Sequence, residues 1–555
     1  MAVPRPYEEL GVEWKGDDDR TLTNITVIAC NAATIDAEIA DDNGDYPWGI
    51  SLIFIIVALG LSIFLVALDM TIVATAIPKM TDEFSGLSDV AWYGSAFFMT
   101  IGGFQSAWGK AYTYFDLKTT FLVAMLIFEI GSLFCGAAPN SAAFIVGRGI
   151  AGVGAGGLSS GCYTLIAFAA EPRKRPLFTG IMGASYGIAS VAGPLIGGAL
   201  TDHASWRWCF YVNLPIGGLS GIVILLFFTA PSKSKPVAAS LREKLLRMDP
   251  IGIVLVMGAT IAFILAVQYG GQSHSWGSDT VAGLLAGSAV VIVVFIAWQA
   301  YNGERSMIVP RIVRKRTVWV NALGGFFLSS AYLIIVYYLP IYYQSINNDS
   351  PTTSGLRNIP IILAVTFATM LSGVLISKTG IAIPLMVVGC AIGMIGTGLM
   401  CTLRLGANGS RLTAYQILAG AGFGLAIQVP MIHAQGNAAT EDLALTTSTI
   451  MFFQTLGSAL LLSGAQSAFA NELLVKLKEY VPTSSPEMVI ATGATQIQTA
   501  FPAAQVTGIL QAYMGGINIV FAISTTAVGL AFVTSLASSW KRLGVESFKV
   551  VCGAA

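Results

Sequence analysis

Charged residues are scarce in this chain of 555 residues. They make up 11% of the sequence, whereas soluble globular domains carry about 25%, and apolar residues make up 55%. A chain with so little charge cannot cover a water-exposed surface, which excludes a soluble enzyme and predicts a polytopic membrane protein. The 30 basic and 30 acidic residues cancel and fall almost entirely between apolar runs. No basic face is therefore available to bind nucleic acid.

Sequence patterns that carry enzyme or metal chemistry are also missing. The seven cysteines are scattered, mostly inside apolar runs, and show no paired spacing, so we expect neither a disulfide framework nor a metal site. No Ser-His-Asp, HExxH or P-loop pattern occurs. Gly152, Gly154 and Gly156 lie within an apolar run without a preceding strand or a following Lys-Ser/Thr pair, which excludes a phosphate-binding loop. We expect no enzyme activity and no cofactor.

Runs of about 20 apolar residues predict an all-α protein with fourteen membrane spans. Six spans form an N-terminal half (49–229), two extra spans lie in a linker (230–317), and six form a C-terminal half (318–535) with an outer loop at 471–513. The spans are 49–77, 91–111, 119–137, 142–168, 177–200, 209–229, 251–269, 281–301, 318–343, 354–376, 381–403, 412–434, 445–470 and 514–535. Two six-span halves are typical of transporters built from repeats, with a substrate site where the halves meet.

Lysine and arginine predict how the chain is oriented, because loops on the cytoplasmic side carry an excess of both. With the N-terminus placed inside, 22 of the 30 basic residues fall inside, 7 fall outside, and Arg148 lies within a span. Both termini are therefore expected in the cytosol. The tails at 1–48 and 536–555 are predicted to be cytosolic, and the first of them disordered, because its first 46 residues hold eleven acidic and three basic residues and no apolar signal segment.

Small residues recur along one face of the fifth predicted span, where they permit a neighbouring helix to approach closely. They are Gly183, Gly187, Gly193, Pro194, Gly197 and Gly198. Ordinary helix packing is the alternative reading of this spacing. The run ends in Gly-Pro-x-x-Gly-Gly and resembles the fifth-helix antiporter signature of drug exporters of the major facilitator superfamily.

Further stretches support the same resemblance. Residues 68–78 are similar to the first-span motif of these exporters, with Ala74 where Asn is usual, and residues 147–156 are similar to their fourth-span arginine motif. With the fourteen spans, these stretches resemble the fungal drug and toxin exporters of the superfamily from Trp48 onward. The resemblance implies two six-helix halves plus two inserted helices, and proton-coupled export. The superfamily's charged loop after the second span is poorly matched, since only Gly109 and Lys118 remain of its pattern.

Three ionisable residues lie within predicted spans, where a charge costs at least about 2.5 to 3.5 kcal/mol on insertion scales. They are Asp69, Glu129 and Arg148. At 1.5 Å per residue, all three lie roughly 9 to 12 Å below the outer span ends. We expect Arg148 to pair with one of the two carboxylates. The pair could be purely structural, or its carboxylate could exchange a proton as Arg148 approaches and leaves.

Aromatic and amide residues in or near the spans are candidates for substrate contact, although many could serve only in packing. They are Tyr93, Phe97, Tyr186, Tyr337, Gln428, Gln435 and Gln454. Two N-x-S/T sequons, at Asn348 and Asn408, fall outside and are candidate glycosylation sites.

The most consistent interpretation is a proton-coupled exporter of small amphipathic drugs, toxins or secondary metabolites, acting as a monomer in the cell membrane, with the vacuolar membrane as an alternative. We expect Gly193 and Pro194 to pack against an outer-half helix of the other half and to favour an inward-open state. One rival is an uptake carrier, for example for an iron chelate, and the Gly-Pro run argues against it. The other is a non-transporting sensor or scaffold, which the absence of a sizeable soluble domain disfavours.

Overall fold

Fourteen long helices account for most of the chain in the computed structural model, which describes residues 46–47, 49–84, 90–231, 234–482, 489, 500–540 and 542–543. The first six are α1 (Ile50–Phe84), α2 (Val90–Tyr114), α3 (Leu117–Gly136), α4 (Ser141–Ala169), α5 (Arg175–His203) and α6 (Asn213–Phe227). Two more follow, α7 (Pro250–Tyr269) and α8 (Asp279–Asn302). The last six are α9 (Arg316–Ile346), α10 (Ile359–Thr379), α11 (Ile383–Met400), α12 (Gly409–Ala426), α13 (Leu443–Tyr480) and α14 (Ala503–Leu536).

The helices coincide with the predicted spans. Within the described ranges, thirteen helical segments are long and apolar enough to cross a membrane, and the fold is all-α. Of the fourteen long helices, α2 does not meet this criterion, because it is less apolar and carries Gln105 and Lys110. It is covered by α4 and α13 inside the bundle. The predicted loop at 471–513 is shorter than expected, because α13 continues to Tyr480 and α14 begins at Ala503. Most of the predicted tails at 1–48 and 536–555 lies outside the described residues, namely 1–45 and 48 in the first and 541 and 544–555 in the second.

Local sequence explains where several helices begin. Asp116, Asn140 and Ser278 precede α3, α4 and α8, and each side chain accepts a hydrogen bond from a backbone N–H of the first turn. Such caps satisfy donors that would otherwise lack partners in lipid. Pro250 at the start of α7 has no N–H, so one donor that would need a partner is absent there.

The two ends of the bundle differ in charge. The start of α1 and the end of α6 meet where Ser51 Oγ donates to the Phe227 carbonyl at 3.3 Å, and most Lys and Arg lie in the connections on this side. We call it the basic face. The opposite face includes the ion pair between Glu83 and Arg207, 3.0 Å apart.

Two sets of helices pack around separate apolar clusters. One cluster is built mainly from α1 to α6 and includes Phe121 and Phe128, and the other is built from α9 to α14 and includes Leu328 and Phe423. The two sets meet along two seams, one between α2 and α13 and one between α5 and α10. The space between the sets lies between these seams.

Glycines permit several helices to touch backbone to backbone. A Cβ atom at Gly131 of α3 would overlap the backbone of Ala151 on α4, and one at Gly422 of α12 would overlap the backbone of Gly393 on α11. Lipid provides no hydrophobic driving force between helices, so such close contacts supply much of the association energy.

Gly131→Ala should therefore destabilise the protein by about 1 to 3 kcal/mol, because the added methyl group forces α3 and α4 apart. The matched control is Gly398→Ala on α11, where the nearest atom to an added Cβ is 3.7 Å away. Alanine is favoured over glycine in a helix by about 1 kcal/mol, so this variant should be as stable as the parent or more stable. Thermal midpoints of the detergent-purified proteins compare the two. A Gly131→Ala midpoint equal to that of Gly398→Ala would contradict the contact.

Candidate functional site

A cavity of about 500 Å³ lies between the two sets of helices, a volume typical of small-molecule sites. It extends from Tyr163 and Gln428, in the middle of the bundle, to Trp92 and Gln268 near the opposite-face ends of α2 and α7. None of the described residues that line it is Asp, Glu, Lys, Arg or His. The cavity thus offers apolar, aromatic and amide groups without charge.

Four of the predicted substrate residues line this cavity, namely Tyr186, Tyr337, Gln428 and Gln454. Gln428 Nε2 donates to the hydroxyl oxygen of Tyr163 at 3.2 Å, and the Tyr186 hydroxyl points to Met70 Sδ at 3.6 Å. Lining the cavity shows where these residues lie and does not show that they bind a substrate. Their contact with substrate therefore stays a prediction.

Tyr93 and Phe97 lie behind the cavity wall. The Tyr93 hydroxyl donates to Ser141 Oγ at 3.1 Å, and the Phe97 ring lies 4.1 Å from the Arg148 guanidinium carbon. Their neighbours Trp92 and Phe98 line the cavity instead, because consecutive helical residues point in directions about 100° apart.

Gln435 is buried between the cavity and the basic face. Its amide Nε2 donates to the Tyr163 carbonyl at 3.3 Å and to Thr447 Oγ1 at 2.8 Å, which ties α4 to the start of α13. These contacts place Gln435 among the helix contacts that lie between the cavity and the basic face.

Both seams are closed at the basic face. A Cβ atom at Gly109 of α2 would lie 3.1 Å from the Ala444 carbonyl of α13, and one at Gly373 of α10 would lie 2.6 Å from the Pro176 carbonyl of α5. Ser377 of α10 also donates a hydrogen bond to the carbonyl of Arg173. Helix contacts therefore separate the cavity from the basic face.

Arg148 and Asp69 form an ion pair inside the bundle, as their matching depth predicts. Both side chains are at most 1% exposed. Arg148 Nε also donates to the Tyr93 carbonyl at 2.9 Å, and Phe97 covers the guanidinium. The pair lies directly behind the cavity wall, since Met70 follows Asp69 and lines the cavity.

Asn213, at the start of α6, is a part of this site that the sequence analysis did not identify as functional. Its Nδ2 atom lies 3.1 Å from Asp69 Oδ1 and 3.2 Å from Ser132 Oγ of α3. The only sequence signal is an asparagine two residues before Pro215, near the predicted start of the sixth span, and this pattern is equally typical of a helix terminus. The Arg148–Asp69 pair is thereby connected to α3 and α6.

Glu129 is not part of the ion pair. It lies one helical turn from Ser132 on α3 and faces Gly217 of α6, and both carboxyl oxygens are buried without a hydrogen-bond partner in the described structure. A buried carboxylate without partners is costly when ionised. A role for Glu129 in proton coupling stays a prediction.

The glycine run on α5 contacts two different helices. Gly183 and Gly187 face Thr369 and Thr366 of α10 in the other set, whereas Gly193 faces Thr71 of α1 in its own set. The expectation that Gly193 seals against the other half is therefore wrong. The spacing showed that this face of α5 carries small residues, but it could not show which helix each part of the face contacts.

The remaining members of the run are Pro194, Gly197 and Gly198. Pro194 lies inside the continuous helix α5, the Gly197 carbonyl lies 3.7 Å from Cys209 Sγ, and an added Cβ at Gly198 would have no neighbour within 4 Å. The inward-open state expected from this run is likewise not the state observed, because the described seams are closed at the basic face.

An ion-pair cluster at the basic face joins the segment after α8 to the start of α13. Asp442 lies 2.8 Å from Arg311 and 3.0 Å from Lys315, and the hydrogen bonds that Arg311 donates to Asp442 raise the pKa of Arg311. Lys110 of α2 donates to the Glu304 carbonyl at 2.6 Å. These contacts lie where the superfamily's charged loop is poorly matched in this sequence.

Asn348 and Asn408 are exposed in connections at the opposite face. Asn348 adopts a left-handed backbone with φ of 57°, and Asn408 caps α12. Glycosylation of either residue stays a prediction.

Comparison with known proteins identifies the family. The profile described as Major Facilitator Superfamily matches residues 59–462. The chain belongs to this superfamily. It is therefore a multi-pass membrane transporter for small molecules and not an enzyme.

Fungal relatives align over nearly the whole chain. The MFS-type transporter grgE of a Penicillium species is 52% identical over 499 residues, covering 90% of this chain and 88% of the relative. The probable efflux pump gsfJ of Penicillium aethiopicum is 46% identical, covering 92% of this chain and 91% of the relative. The MFS-type efflux pump MFS1 of Trichophyton rubrum is 41% identical, covering 94% and 96%.

Solved structures agree on the fold. The proton:xylose symporter XylE superimposes with a TM-score of 0.59 at 12% identity, covering 90% of this chain and 98% of that one. At this identity the likeness concerns the fold alone.

Gly183→Val should reduce the transport rate per molecule at least tenfold. An added Cβ would lie 2.6 Å from Thr369 Cγ2 and 2.9 Å from Gln428 Nε2, and a strain of about 1.4 kcal/mol or more is a factor of ten. Gly198→Val, on the same helix with open space, should keep the parental rate. Rates are normalised to the amount of protein in the membrane. Equal rates for the two variants would show that the α5–α10 contact at Gly183 is dispensable.

Proposed function

We propose that this transporter exports small uncharged amphipathic compounds in exchange for protons. The observation that carries the proposal is the buried Asp69–Arg148 pair directly behind the cavity wall. A carboxylate in this position can accept a proton only if its interaction with Arg148 weakens, because arginine keeps its charge. Protonation and the arrangement of the surrounding helices are thereby linked.

The helices that would respond are those that hold the pair. Neutralising Asp69 removes the charged partner of Arg148. The backbone carbonyls of Tyr93 and Asp69 and the rings of Phe97 and Phe210 remain around the guanidinium. α1, α2 and α4 meet here, and Asn213 extends the connection to α6. Protonation would favour rearrangement of these four helices relative to the second set, and Glu129 would offer a second proton site along the same network.

The lining of the cavity supports the substrate class. A charged compound would lose its hydration and find no opposite charge among the described lining residues, which is costly. Aromatic rings and amide groups instead suit a compound with an apolar body and a few polar groups, such as a drug, toxin or secondary metabolite.

Orientation and direction rest on charge distribution and on the relatives. We place the basic face and both termini in the cytosol, since the predicted topology assigns 22 of the 30 basic residues to that side. Relatives that align over more than 90% of this chain include proteins named as efflux pumps. We assign the protein to the cell membrane, where export leads out of the cell, and we expect a monomer to suffice.

Deleting the protein from its host tests this function. The deletion strain should retain uncharged amphipathic compounds that the parent releases, and restoring the protein should release them again. Mass spectrometry of cell and medium extracts identifies the compounds. Equal retention in both strains would contradict export, and loss of a compound from the deletion strain's cells would instead support uptake.

Asp69→Asn should abolish export driven by a pH gradient, because the amide cannot exchange a proton. Loss of the buried partner of Arg148 also costs about 3 to 5 kcal/mol, so the amount of folded protein is measured alongside transport. Asp69→Glu keeps an ionisable group and should retain part of the gradient-driven transport. Efflux of a retained compound from vesicles with an imposed pH gradient compares the variants.

Glu83→Gln is the control for removing a carboxylate elsewhere. Glu83 pairs with Arg207 at the opposite face, where the carboxylate is 48% exposed, and its loss should leave coupling unchanged. Gradient-driven export that survives in Asp69→Asn at the parental rate would rule out Asp69 as the coupling group.

A further inference from the structure

We propose that α7, the first of the two inserted helices, forms one wall of the substrate site, and that Gln268 on this wall selects substrates by a hydrogen bond. The proposal rests on the proposed function in one respect, namely that the compound bound in the cavity is a transported substrate. The position of α7 beside the cavity does not depend on it.

The first half of α7 lies across the seam between α2 and α13. Ile253 and Val256 form an apolar cluster with Ala107 of α2 and Phe452 of α13. An added Cβ at Gly103 of α2 would lie 2.6 Å from Met257, so the absence of a side chain there lets α7 approach closely. α7 therefore covers the seam from the lipid side.

The helix is held firmly at both ends. At the basic face, the buried carboxylate of Asp249 accepts hydrogen bonds from Trp298 Nε1 at 2.7 Å and Gln299 Nε2 at 2.8 Å, both on α8. At the opposite face, Asn471 Nδ2 of α13 donates to the Gly270 carbonyl at 3.1 Å. These contacts fix which face of α7 points toward the cavity, as a specific binding surface requires.

α8 lies outside α7 and does not reach the cavity. Ser288 of α8 donates to the Ala259 carbonyl at 2.9 Å, while Val290 and Val293 are 62% and 66% exposed on the outer side. Large apolar residues with this exposure face the acyl chains in a membrane. α8 thus covers the outer side of the second half of α7, whereas Ile251 and Val254 in the first half of α7 are themselves exposed.

One stripe of α7 lines the cavity. Thr260, Ile264 and Gln268 are spaced four residues apart and share a helix face, with Ile261 and Leu265 beside them. All five lie in the half of α7 nearer the opposite face. The inserted pair therefore contributes directly to the surface that a bound compound would meet.

Gln268 is the polar group of this stripe that is available to a ligand. Its amide makes no hydrogen bond in the described structure, whereas the Thr260 hydroxyl donates to its own helix at Val256. An uncharged ligand group such as a hydroxyl or a carbonyl can form a hydrogen bond with the Gln268 amide, whereas an apolar group at the same place would leave that amide without a partner.

Cysteine labelling tests the position of α7 without a substrate. Ile264→Cys and Gln268→Cys should react with a membrane-impermeant maleimide, added at the opposite face, at least tenfold faster than Ala286→Cys. Ala286 lies on α8 at a similar level, is exposed on the outer side and should face lipid, where a thiol does not ionise and a polar reagent does not enter. The parent protein gives the background from its own cysteines.

Export kinetics test the role of Gln268. Gln268→Leu should raise the KM about tenfold for retained compounds that carry a hydroxyl or carbonyl group, and leave kcat and the export of compounds without such groups nearly unchanged. The matched control, Ala286→Leu, should leave the order of preference among compounds as in the parent.

The outcomes separate this proposal from the proposed function. If the cysteines at 264 and 268 react no faster than that at 286, α7 does not face the cavity and the proposal fails, whatever the protein exports. If labelling is as expected but Gln268→Leu slows all compounds equally or none, the role in selection fails. If the deletion strain retains no compound, export itself is contradicted, while labelling still decides the position of α7.

Discussion

An arginine that is always charged, placed within an apolar bundle, is the constraint on which the rest of this site depends. Arg148 cannot be left without a partner in lipid, so Asp69, the Tyr93 carbonyl and Phe97 are held around it. These partners come from α1 and α2, and Asn213 adds α6. One interaction thus sets the positions of four helices. A change in the charge of Asp69 would act on all of them at once.

The two seams between the helix sets are built differently. Along the α5–α10 seam, glycines such as Gly183 let the helices touch, and no further helix is needed outside them. Along the α2–α13 seam, contact is close near Gly109 at the basic face, and α7 covers the remainder. A transporter must separate these seams at alternate ends during its cycle. The inserted pair would then move with whichever set holds it, and Asn471 links it to α13.

Much of the fold follows from the sequence because a bilayer imposes a simple rule, namely that each crossing needs about 20 apolar residues. The approximate span boundaries follow from that rule, and the expectation that Arg148 pairs with either Asp69 or Glu129 follows from residue counts along the helices. The rotation of each helix about its own axis does not follow from these counts. Phe98 rather than Phe97 lines the cavity, and a one-residue difference decides which side chain meets it.

Contacts between distant segments were the least predictable part. The small face of α5 was evident, yet its partner at Gly193 is Thr71 of its own set, because spacing does not identify the neighbouring helix. Asn213 reads as a helix terminus until α1 and α3 are placed beside it. Nothing in the sequence of α7 indicates that it reaches the cavity, since its stripe of Thr260, Ile264 and Gln268 would suit lipid or packing equally well.

The most direct test of the central claim is the internal pH of proteoliposomes that contain the purified protein. An exported compound is supplied on one side only, with no initial pH gradient and with the membrane potential clamped. Proton-coupled export predicts that the compound and protons move in opposite directions, so the compartment that gains the compound should become more alkaline, and Asp69→Asn should abolish this change. Protons moving in the same direction as the compound, or transport without any pH change, would contradict the account.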